Sequence, residues 1–239
     1  MSRPANRKWL KWLLTTAAPW AFALSILLVV AKTGWETWKL MVTNNSFKGI
    51  CLALHQYHEQ NGCFPPHLVR NGDGTATHSW RSLVHPYRVR QVYENRDHGL
   101  PDDHVYRFTE AWNSPHNHDV GRLRDGTNPA YDLLAVVGPG TVWEDGRTCR
   151  LKDIDDGTPN TLLAIAIPQV GIGWREPRDA VFDGKSVWVE VNGVQKSLAG
   201  IPCFLLMADS TVRYVRNGLS EESLVALVTI DAGDDPGRF

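Results

Sequence analysis

Histidine is the residue whose placement in this chain most invites chemistry. All nine histidines fall between residues 55 and 118. Three of them, His55, His58 and His67, stand in "ALHQYHEQNGCFPPH" (residues 53–67) together with Tyr57 and Cys63. Imidazole is the commonest metal ligand and the usual general base near neutral pH. His55 and His58 are three residues apart and share one face of a helix. The zinc-binding helix motif instead sets two histidines four apart with a glutamate between them, and here Glu59 follows the pair. A second group, His116, His118 and Asp119 in "SPHNHD" (114–119), has the residue types of a metal loop or a hydrolase pair. The plainer reading is a set of histidines that pack or hydrogen-bond beside a helix end.

Carboxylates offer the other candidate. "DIDDGTPN" (153–160) places Asp153, Asp155 and Asp156 before Gly157. Its start resembles a calcium loop, but the third aspartate comes one place early and the closing glutamate is absent. The alternative is an aspartate–glycine turn entering a strand. "VVGPGTVW" (136–143) has neither of the glycine patterns that cradle phosphate. Ser210 in "ADSTV" lacks the G-x-S-x-G elbow of a nucleophilic serine. The four cysteines, Cys51, Cys63, Cys149 and Cys203, form no C-x-x-C and allow three pairings. No catalytic, cofactor-binding or metal residue is therefore nominated, and no cofactor is expected. With a net charge of −1 and mixed signs, the chain has no basic face for nucleic acid.

The elements that must position these residues are legible as patterns. Residues 12–31, "WLLTTAAPWAFALSILLVVA", carry no charge. Twenty residues at 1.5 Å each make about 30 Å, the thickness of a bilayer core. Arg3, Arg7, Lys8 and Lys11 precede the run. The expectation is a transmembrane helix with a cytoplasmic N-terminus and an extracytoplasmic body, single-pass in the inner membrane. Apolar residues at spacings of three and four continue from Trp35 to Tyr57, so the helix should run on to about residue 60. "VTNNS" (42–46) marks a weak point. Asn61-Gly62 suits a left-handed cap, and Pro65-Pro66 forbids continuation. A turn or hairpin loop follows at 71–79, then a short helix at 79–94 and a long irregular insertion at 95–130. Strand patterns come next at 131–138, 160–168, 186–193, 203–209 and 211–217, with a hairpin turn at Asp209-Ser210. Ser220 caps a closing helix at 220–230. Helix first and sheet later is an α+β order. The expected organisation is a basic N-terminus (1–11), a span (12–31), its extramembrane continuation (32–62) and a globular domain (63–239).

The same pieces, taken in order, resemble a known family. "NNSFKGICLALHQYHEQNGCFPP" (44–66) is similar to N-N-L-K-Q-I-G-L-A-L-H-N-Y-H followed by G-x-F-P-P, the signature of the planctomycete prepilin-like family, domain of unknown function family 1559. Later landmarks recur in sequence: "SWRSLVHPY" (79–87), "AWNSPHN" (111–117), "LLAVVGPGTVW" (133–143), "IDDGTPNTLLAI" (154–165), "IGWREPRDAVFD" (172–183) and "LLMADSTVRYV" (205–215). The resemblance covers roughly residues 35–232. It implies a pilin-like fold, a long membrane-spanning helix packed by its outer half on an antiparallel sheet. The chain departs from the family at the start, where "RKWLKWLLTTAAPW" has no glycine–phenylalanine junction and no glutamate, so the expectation is a degenerate or absent prepilin leader. It departs again where Asp209-Ser210-Thr211 replaces the family's D-G-S.

The functional expectation is a non-enzymatic, membrane-anchored envelope or surface protein of pilin- or pseudopilin-like build. Its partners would be the lipid bilayer and pilin-like or secretion-system proteins, with no nucleic acid and no known small-molecule ligand. The alternative is an extracytoplasmic module that binds a ligand or cation at the histidine-rich excursion or the Asp153–Asp156 loop.

Overall fold

The computed structural model describes residues 18–94, 131–168, 170–172, 176–233 and 237. The chain divides into two compact units, Met1–Val42 and Thr43–Phe239. In its described part the first unit is one stretch of helix, residues 18–42 of α1 (Ala18–Asn61). Trp20, Phe22, Leu24 and every residue from Ile26 to Val30 are exposed there, so no single apolar stripe exists. Trp35 and Trp38 stack at 5.1 Å.

The expected transmembrane helix is overturned. Among the described residues no helix is long and apolar enough to cross a membrane. Within the described part of α1 the uncharged stretch gives way to Lys32, Glu36 and Lys39.

The second unit is α+β. Its elements after α1 are β1 (Leu68–Arg70), β2 (Ala76–Ser79), α2 (Trp80–Glu94), β3 (Tyr131–Leu134), β4 (Val136–Val137), β5 (Leu162–Pro168), β6 (Ala180–Phe182), β7 (Val187–Val191), β8 (Val194–Ser197), β9 (Cys203–Met207), β10 (Val212–Val215) and α3 (Glu221–Val228). The fold is also not the single antiparallel sheet expected. β1 and β2 form a hairpin, β10-β9-β5-β3 an antiparallel sheet, and β4-β6-β7-β8 a second sheet in which β4 and β6 run parallel. The expected insertion at 95–130 lies outside the described residues.

β5 and β9 are continuous apolar runs buried throughout, because both of their faces are covered. Ala164 and Ala166 pair with Leu206 and Phe204, and partners across a ladder share a face. That face meets the second half of α1: Phe47 lies 5.1 Å from Phe204 and 6.3 Å from Tyr131 between ring centroids. The small alanines let the helix approach. The opposite face, with Ile165, Ile167, Leu205 and Met207, joins Phe182, Val187, Val189, Leu224 and Leu227 in the main core.

α1 does not break at "VTNNS". Thr43 is buried and the Asn44 side chain donates to the Val212 carbonyl of edge strand β10, so tertiary contact outweighs weak propensity. Its end follows the expected chemistry. Gly62 takes φ +75°, a left-handed backbone that suits glycine, and its amide donates to the His58 carbonyl at 2.7 Å.

Candidate functional site

The histidines at the end of α1 meet the β9–β10 hairpin. This turn is built by Asp209, whose Oδ1 accepts from the Thr211 amide and hydroxyl at 2.9 and 2.6 Å. Ser210 holds φ +67°, unusual for a residue with a side chain. Its hydroxyl lies 3.2 Å from His55 Nδ1 and 3.4 Å from Nε2. The same ring nitrogens face the carbonyls of Cys51 and Ala208, each at 2.9 Å. A neutral ring donates to one carbonyl, and the Ser210 hydroxyl can donate to its bare nitrogen.

Serine beside histidine is the start of a nucleophilic dyad, yet this pair is committed elsewhere. A catalytic histidine needs one nitrogen for the serine and the other for an orienting acceptor. Here each ring nitrogen faces a main-chain carbonyl, the protonated one donating to it, and the Asp209 carboxylate is turned to Thr211. The arrangement ties the helix end to the hairpin.

His58 does parallel work. The Leu151 amide donates to its Nε2 at 3.2 Å, so the ring is neutral with its proton on Nδ1. Burial, with His55 beside it, lowers its pKa. Its ring packs on Phe64 at 5.0 Å, and His55 meets the same ring at 5.9 Å. His67 sits 3.9 Å from Asp145, its pKa lowered chiefly by burial. His78 is exposed on β2 and His85 is buried on α2. His116, His118 and Asp119 lie outside the described residues.

The aspartate loop is likewise occupied. Asp153 accepts from the Arg150 amide and pairs with its guanidinium at 3.0 Å. The carboxylate of Asp156 accepts from the amides of Ala232 and Gly233, at 3.0 and 2.7 Å. The amides of Asp155 and Asp156 both donate to the Ile230 carbonyl. This loop anchors the chain after α3. Among the described residues no group of three or more His, Cys, Asp or Glu is placed to hold a metal ion.

The "GPGT" turn packs in the same way. A Cβ on Gly138 would come within 2.2 Å of the Phe182 carbonyl oxygen, and the Gly140 carbonyl accepts from the Ile230 amide. The glycine serves a close approach of two backbones.

Sequence reasoning missed a buried ion pair. Arg81, on α2, and Asp179, ahead of β6, form an ion pair at 2.5 Å with both side chains almost wholly buried. The guanidinium also donates to the Leu133 carbonyl and lies 5.0 Å over the Trp80 ring. Asp179 Oδ1 accepts further from the Ala135 amide and Trp80 Nε1. Burial raises the Asp179 pKa against the opposing charge of Arg81. Trp80 packs on Trp143, whose Nε1 donates to the Leu163 carbonyl at 2.6 Å. The signal was present as "SWR", "GPGTVW" and "EPRD", but nothing local joins them.

Comparison with known proteins agrees with the motif at the helix end. No curated protein and no solved structure matches the chain. Residues 41–117 match the model of a family described as a protein of unknown function (DUF1559). The matched part takes in the second half of α1, the β1–β2 hairpin and α2, so about a third of the chain is similar to that family.

Proposed function

We propose that the chain is a non-enzymatic envelope protein that works by association, with the apolar part of α1 pairing with helices of a protein partner. One observation carries this reading. Trp20 is 78 % exposed, Phe22 69 % and Met41 62 %, with Leu24, Ile26, Leu27, Leu28, Val29 and Val30 exposed between them. A helix that is apolar all round is normally buried within a larger apolar assembly, and a patch of this extent marks an interaction site. The resemblance to a prepilin-like family supports helix pairing as the mode. The non-enzymatic part rests on His55, His58, Asp153 and Asp156, each engaged by main chain or an ion pair.

Affinity purification of the full chain from its native cells tests the reading, beside a Leu27→Glu/Val30→Glu variant. The expected result is recovery of the unchanged protein as an oligomer or with a stoichiometric protein partner, and of the variant alone. If both are recovered as 26.8 kDa monomers, the reading is wrong.

A further inference from the structure

We propose that Cys63 and Cys149 are a modification site, two thiols placed to form a disulfide that fastens the turn after α1 to the segment entering Leu151. The two segments are already held side by side. The Phe64 amide, next in the chain after Cys63, donates to the carbonyl of Cys149 itself at 2.8 Å. Two residues further on, the Leu151 amide donates to His58 on the same helix end. That bond leaves a single N–H···O=C link between the Cα of Cys63 and the Cα of Cys149, a separation of the order that a disulfide spans, about 4.4–6.8 Å. Neither thiol is committed elsewhere. Cys63 Sγ makes only a 3.8 Å contact to the Asn61 carbonyl, and Cys149 Sγ a 3.6 Å contact to that of Arg150.

The other cysteines are placed differently. Cys51 is fully buried on α1 and Cys203 lies in the core between the sheets. Burial pushes both thiols up to about 12, which leaves almost no thiolate near neutral pH. Cys149 is pushed up to about 11, chiefly by burial, and the charge of Cys63 is felt there. Cys63 alone is partly exposed, so the reaction begins at that sulfur.

The oxidant is a small disulfide of the glutathione class. The Cys63 thiolate attacks one of its sulfurs, a protein–glutathione bond forms, and one glutathione thiolate leaves. Cys149, after losing its proton to solvent, attacks Cys63 Sγ and expels the second glutathione. The protein loses two electrons and two protons, and the oxidant becomes two thiols.

The test uses the full chain incubated with oxidised glutathione at about pH 8, where the attacking thiolate is more abundant. The expected result is a mass loss of two hydrogens, a Cys63–Cys149 linked peptide after digestion, and a raised melting temperature. Cys63→Ser, at a partly exposed position, should fold and show none of these. Both thiols still alkylatable, a glutathione adduct that persists on Cys63, or a bond from Cys63 to Cys51 or Cys203 would each overturn the proposal.

Discussion

At the residue scale, Ser210 shows how a substitution in a turn is compensated. A left-handed backbone costs a residue with a Cβ about 1–2 kcal/mol. A hydrogen bond to His55 returns about 1 kcal/mol. Ser210→Gly should therefore stay within about 1 kcal/mol of the parent, because strain and hydrogen bond leave together. Ser210→Ala keeps the strain and loses the bond, and should cost about 1 kcal/mol. Denaturant midpoints check this order. His58 gives a pH test. Its pKa is lowered in the fold by burial first, so the unfolded chain binds the proton more readily. Stability is then full above about pH 6.5 and declines as pH falls below it. His58→Gln keeps an acceptor for the Leu151 amide and should make that decline shallower. It should not abolish it, because His67 shifts in the same direction. Melting curves from about pH 8 down to about pH 5 measure the slope.

At the element scale, the Arg81–Asp179 pair joins α2 to the strands. Removing one partner strands a buried charge, so Arg81→Met or Asp179→Leu should each cost about 3–5 kcal/mol. The double variant should cost clearly less than the sum, since the two act as one unit. Gly138→Ala presses a methyl group on the Phe182 carbonyl and should cost about 3 kcal/mol. What was legible here followed range. The Asn61-Gly62 stop, the Ser220 cap, which accepts from the Ser223 amide, the apolar runs of β5 and β9 and the alternation in β7 are local signals. β8 was not legible, because "VQKS" is an exposed edge with no alternation. β6 has only three residues. Arg81 and Asp179 stand 98 positions apart, and His55 and Ser210 155 apart. Such contacts depend on which strands become neighbours, and no spacing encodes that.

At the scale of the whole molecule, the span read at residues 12–31 illustrates a different limit. Hydropathy counts the run, but the described helix turns polar at Lys32, and among the described residues no helix is long and apolar enough to cross a membrane. What survives is an exposed, apolar helical segment in a chain whose described candidates, His55, His58, Asp153 and Asp156, are engaged in holding the fold. The account therefore turns on what covers that segment. A photo-reactive phenylalanine analogue placed at Phe22 of the full chain, activated in living cells, reads this directly. The account predicts a discrete covalent adduct to protein, either a second copy or another helical subunit, lost when Leu27 and Val30 are changed to glutamate. An analogue that reacts only with lipid or water, leaving the chain free of any protein adduct, would contradict it.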